Sequence, residues 1–241
     1  MMNHARRFDR FFFPGMALLM GVTVFVGFAR TYYLAGVFRA PLPNLLIHVH
    51  GAVFTSWILL LIAQTFLVAV GRADLHRRLG LLGFGLASLM VILGLMAATD
   101  ELVRKDGPGK KGLSARTFYV IPVTDILVFA ILTYFGFRRR FNPSAHKRLV
   151  LIATVMILDA ALARWPLPAA WWTLQAAQMS SYLFLLLLVG YDLWSARKLH
   201  RVTLWASVFL IVIQQVRIPF GRTAIWQSLA AWVQNVGHSL R

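Results

Sequence analysis

Three ionisable side chains stand within long apolar stretches of this sequence: Arg30, Asp125 and Asp159. A charge in hydrocarbon costs about 2.5–3.5 kcal/mol on insertion scales, so each of the three needs a partner or a task. His48 and His50 enter the same layer from a neighbouring stretch, and Arg164, Gln175, Gln214 and Gln215 lie near it. Two buried carboxylates need an arginine, a histidine or a metal between them; otherwise one takes up a proton. Asp125, Asp159 and one of the two histidines are therefore expected to converge, with Arg30 as counter-charge. A packing lock is the competing expectation, in which Arg30 neutralises one aspartate and hydrogen bonds satisfy the rest.

Residues two apart on an α-helix point about 200° away from each other, so His48 and His50 cannot chelate one ion from a regular helix. His50 shares a face with Trp57 and Gln64, whereas His48 shares one with Gly51, Ala52 and Thr55. One histidine with Asp125 and Asp159 would make a nitrogen–oxygen set suited to zinc or iron. His76 and His146 open different helices at equal depth, as two axial ligands of haem b would. Each is also flanked by Arg or Lys at the membrane boundary, which an interfacial histidine explains equally. His200 repeats their pattern, but Asp192 and Lys198 mark an exposed turn beside it; His4 and His238 read as solvated.

The elements that position these groups follow from composition. Of 241 residues, 59% are hydrophobic and 14% charged, against roughly 45–50% and 25% in soluble proteins. Stretches 11–28 and 45–70 carry no Asp, Glu, Lys or Arg, and about 20 such residues cross a bilayer core. The chain is expected to be an all-α integral membrane bundle of seven transmembrane helices. Predicted spans are 12–37, 45–70, 79–98, 117–137, 148–165, 171–193 and 202–218, separated by Pro41 and Pro43, Asp106-Gly107-Pro108-Gly109, Asn142-Pro143, and Pro166 with Pro168. Residues 1–221 form the transmembrane domain, and 222–241 an interfacial amphipathic helix with Ile225, Leu229, Trp232, Val236 and Leu240 on one face. Arg6, Arg7 and Arg10 before the first span resemble a signal peptide, but no small-residue cleavage site follows, so this helix is expected to stay.

The net charge of +17 sits in clusters between spans, where translocon and anionic lipid favour it, rather than in a nucleic-acid patch. Fourteen of the 25 Lys and Arg fall on the side of the N-terminus, which places that terminus in the cytoplasm and the C-terminus outside. Without a cysteine, disulfides, thiolate ligands and iron–sulfur clusters are excluded. His4-Ala5-Arg6, His76-Arg77-Arg78-Leu79, His146-Lys147-Arg148-Leu149 and His200-Arg201-Val202 form a weak repeat at odd-numbered helix starts, with Asp74 and Ser144 as expected caps. Gly80, Gly83 and Gly85 suggest close helix approach, and Tyr32, Tyr33, Trp165, Trp171 and Trp172 an interfacial belt.

Ile47-His48-Val49-His50-Gly51 with Trp57 and Gln64, then Asp74-Leu75-His76-Arg77-Arg78-Leu79-Gly80 and His146-Lys147-Arg148-Leu149, resemble a family of uncharacterised bacterial inner-membrane proteins over residues 30–165. The helix-end histidines are distantly similar to those of b-type membrane cytochromes. Only one span offers histidine on the outer side, so this resemblance implies at most a single inner haem. Three functions follow: metal or haem binding for redox or cofactor handling, proton-coupled transport, or assembly and scaffolding with a membrane protein partner or a second copy.

Overall fold

The computed structural model describes residues 4–41, 43–104, 112–168 and 170–239, with side chains from residue 8 onward. The expected turn at Asp106-Gly107-Pro108-Gly109, the His4 side chain and Leu240 lie outside the described residues. The chain order is α1 (His4–Phe28), a π-helical turn (Ala29–Tyr33), α2 (Leu45–Ala69), α3 (Ala73–Arg104), α4 (Ala115–Arg138), α5 (Pro143–Leu162), α6 (Leu174–Ala196), α7 (Arg201–Gly221) and α8 (Ala224–Ser239). Asn44, Ser114, Asn142 and Thr173 cap α2, α4, α5 and α6, each accepting the backbone N–H three residues on. Ser144 caps nothing and instead accepts from Arg148 Nη1 at 3.0 Å; Asp74 lies within the first turn of α3.

Among the described residues, six segments are long and apolar enough to cross a membrane: Phe8–Tyr33, Leu45–Ala69, Ala73–Arg104, Ala115–Arg138, Leu174–Ala196 and Arg201–Gly221. These correspond to α1 to α4, α6 and α7. Each packs on its neighbours in the order α1, α2, α3, α4, α7, α6 and back to α1, which closes a ring. The remaining long helix, α5, runs through the middle and packs against α1, α4, α6 and α7. Thirteen of its twenty residues are buried. Its Lys147, Arg148 and Asp159 lower its hydropathy, yet protein rather than lipid surrounds it.

Of the three glycines expected to permit close approach, Gly83 does, since an added Cβ would stand 3.2 Å from Leu60 Cδ2, and tighter contacts fall at other glycines. A Cβ on Gly80 or Gly85 would meet nothing within 4 Å, whereas one on Gly27 would sit 2.2 Å from the Ala161 carbonyl oxygen. That contact seats α1 directly on α5. Trp57 Nε1 donates to Thr154 Oγ1 at 3.1 Å, joining α2 to the same hub.

The tail helix α8 docks on the protein. Trp226, Ala230 and Gln234 are buried against Ala98, Leu102, Tyr119 and Val120. Trp226 Nε1 donates to Arg116 O at 2.8 Å, and Arg116 Nε to Gln234 Oε1 at 3.0 Å. Ile225, Leu229, Trp232 and Val236 remain exposed on the opposite side. The predicted apolar face is present, turned away from the bundle where lipid would lie. α3 is 32 residues long, about 48 Å at 1.5 Å per residue, and its last turns stand against α8.

Candidate functional site: a carboxylate pair on one guanidinium

α7 presents Thr203, Ser207, Leu210, Gln214, Arg217 and Gly221 to the interior, a stripe at steps of three and four residues. Its C-terminal end meets Asp125 from α4, Asp159 from α5 and Gln178 from α6. Arg217 Nη1 donates to Asp125 Oδ1 at 2.5 Å, while Nη2 donates to Asp159 Oδ2 at 2.9 Å and to Gln178 Oε1 at 3.0 Å. Gln214 Nε2 donates to Asp159 Oδ2 at 2.7 Å. Arg217 is 2% exposed, Gln214 1% and the two aspartates 6–8%, so water screens little of this cluster.

Two carboxylates share one guanidinium, which leaves one negative charge in excess. Hydrogen bonding is incomplete as well. Ser181 stands beside Asp159, but its hydroxyl donates to Gln178 O at 2.7 Å. Among the described residues, Asp159 Oδ1, Gln214 Oε1 and Arg217 Nε have no hydrogen-bond partner. An added proton on a carboxyl group would remove the excess charge and supply a donor.

The expected convergence of Asp125 and Asp159 therefore occurs, with a different counter-charge. Arg30 lies exposed on the π-helical turn, 5.6 Å from the Phe38 ring centroid. His48 is exposed, its Nδ1 3.3 Å from Tyr32 Oη. His50 is half-buried, packs on Phe54 at 4.1 Å between ring centroids and lies against the Leu93 backbone. Neither histidine is hydrogen-bonded to Asp125 or Asp159. Among the described residues no group of three His, Asp or Glu side chains is placed to hold a metal ion, so the expected histidine–aspartate metal set is not assembled. Gln175 and Arg164 are exposed, and Gln215 donates to Tyr182 Oη at 2.9 Å.

A second buried ion pair lies eleven residues along α5, about 16 Å away by helical rise. Arg148 bonds to Asp192 of α6, which also accepts from Thr203 Oγ1 at 2.5 Å and from the His200 backbone N–H at 3.2 Å. Asp192 is wholly buried, which corrects the exposed turn expected there. The His200 ring caps α7, with Nδ1 accepting from Val202 N–H at 3.1 Å. Burial and the neighbouring Arg148 hold this imidazole below its ordinary pKa.

His76 and His146 do meet, with ring centroids 6.2 Å apart and edge to face. His146 Nδ1 bonds to the Gly136 carbonyl oxygen at 2.8 Å, which fixes its proton there and leaves a lone pair on Nε2. In the amide orientation that satisfies Gln64, its NH2 donates to His76 Nδ1 at 2.6 Å, so the His76 proton sits on Nε2. One ring is thus a donor and the other an acceptor. Two axial ligands of one iron would both need a free lone pair, which His76 Nε2 offers only with the Gln64 amide turned so that its oxygen accepts from Nδ1.

Arg217 and Gln178 were not singled out from the sequence. Arg217 falls one residue inside the predicted end of its span, and its spacing from Gln214 was the available signal. Comparison with known proteins yields no relative: no family model, no curated protein and no solved structure matches the chain.

Proposed function

We propose that this chain is a proton-coupled carrier of the bacterial inner membrane, whose Asp125–Arg217–Asp159 cluster binds and releases one proton. The observation that carries the reading is the sharing of one buried guanidinium by two buried carboxylates. A cluster that served packing alone would favour balanced charge, as Arg148 and Asp192 have. Buried carboxylates on several helices are typical of proton relays in pumps and transporters. The seven-span arrangement belongs to the same proposal: α5 supplies the seventh crossing inside the six-helix ring. An odd number of spans with the basic clusters inside leaves the N-terminus cytoplasmic and the C-terminus outside. The resemblance to bacterial inner-membrane proteins supports that location.

Infrared difference spectroscopy across a pH titration tests the central claim. A protonated carboxyl band that appears on acidification and is lost in Asp125→Asn or Asp159→Asn supports proton binding. Absence of any such band in the wild type, in a protein that remains folded, rejects it and leaves the cluster as a packing lock.

A further inference from the structure

The bundle surface between α1 and α6 is not filled. A groove of about 880 Å3 lies there, lined by Phe8, Phe11, Leu183, Leu186, Gly190 and Trp194 among others. Phe11, Leu183, Leu186 and Trp194 are each more than half exposed. A Cβ on Gly190 would meet nothing within 4 Å, so the missing side chain widens the groove without serving a helix contact.

Its length and its ends define an occupant. From Trp194 to Leu183 the groove follows eleven residues of α6, about 16 Å, or roughly half of a 30 Å hydrocarbon core. That is the reach of a chain anchored in one leaflet. At the Trp194 end the wall turns polar: Tyr191 Oη donates to Asp9 at 2.5 Å, and Lys147 Nζ pairs with the same carboxylate at 2.5 Å. Three and four residues beyond Trp194 along the chain stand exposed Arg197 and Lys198. The opposite end is entirely aliphatic. Hydrocarbon at one end and cationic side chains at the other match a single amphiphile with a negative headgroup.

We infer that the α1–α6 groove holds one acyl chain of an anionic phospholipid whose headgroup rests on Arg197 and Lys198. The basic end, not the assigned sidedness, orients this lipid, so the inference stands apart from the proton-coupled reading.

Delipidated protein in detergent, titrated with brominated-chain phosphatidylglycerol or phosphatidylcholine, provides the test. Quenching of Trp194, read as the difference between wild type and Trp194→Phe, should saturate with phosphatidylglycerol at a concentration at least tenfold lower than with phosphatidylcholine. Gly190→Leu fills the groove and should weaken phosphatidylglycerol quenching tenfold or more. Leu186→Trp is the second filling variant, and gel filtration identifies whichever variant stays monodisperse. Arg197→Gln with Lys198→Gln should abolish the headgroup preference and keep the chain-dependent quenching. Equal quenching by both lipids in the wild type, or unchanged quenching in both filled variants, overturns the inference. A concentration-dependent dimer that excludes the lipid overturns it too, by assigning the groove to a second copy.

Discussion

Arg217 holds three side chains from three helices, and its replacement and that of its partners should have unequal costs. Arg217→Gln leaves two buried carboxylates without a cation, the kind of broken pair that costs about 3–5 kcal/mol. Asp125→Asn keeps an acceptor for Nη1 and removes the excess charge, so its expected cost is under about 1 kcal/mol. Denaturant unfolding in detergent measures both, and equal losses would contradict the charge count. Asp125 and Asp159 were legible as a pair because each stands alone in an apolar stretch. Their counter-charge was not legible, since Arg30 and Arg217 are both arginines near the C-terminal ends of apolar runs. Sequence distance from a helix end does not say which way a side chain faces. Asp192 was misread for the same reason: near the end of its span it looked solvated, while Arg148 held it inside.

At the scale of elements, α1 and α5 touch through the bare backbone of Gly27, whose added Cβ would collide with Ala161 backbone atoms at 2.2–2.9 Å. Gly27→Ala should therefore destabilise by about 1–3 kcal/mol, as overpacking does. Gly85→Ala, on an exposed and uncrowded helix face, should be neutral or stabilising by up to about 1 kcal/mol. Thermal unfolding of the two variants side by side checks the contrast. The α7 cap adds a pH dependence. His200 is held below its ordinary pKa, so the unfolded chain binds its proton first, and the cap's contribution is present above the unfolded value near 6.5. It declines as pH falls through that value, because protonated Nδ1 cannot accept from Val202. The protection factors of the Val202 and Thr203 amides, taken against the intrinsic exchange rate at each pH, should fall below about pH 6.5 in the wild type and be pH-flat in His200→Asn. The helix count and order were legible from apolar runs and Pro and Gly breaks; the docking of α8 was not. Its apolar stripe predicted an amphipathic helix, but Gln227 and Gln234 on the other side find Thr117 and Leu102 O only in the fold.

For the whole molecule, the ring of six apolar helices around α5 separates two requirements that a single hydropathy scale merges. The outer helices must suit lipid, whereas α5 must suit its neighbours. Lys147, Arg148 and Asp159 sit within its twenty residues, and their partners come from α1, α6 and α7 only once those are in place. Hydropathy patterning therefore reports the ring faithfully and understates the hub.

That hub also dictates an order of assembly during synthesis. Left alone at the translocon, α5 carries three charges that disfavour entry, each by less than the roughly 2.5–3.5 kcal/mol of a charge at a helix centre. Asp192 and Arg217, which neutralise two of them, emerge from the ribosome later, on α6 and α7. α5 must then wait, held beside the earlier helices or at the channel, until the last two spans arrive and the ion pairs close. A nascent chain ended after residue 170 should leave α5 accessible to a membrane-impermeant labelling reagent at an introduced cysteine, and a chain ended after residue 221 should protect it. Equal protection in both would mean that the first four helices already provide a sufficient berth.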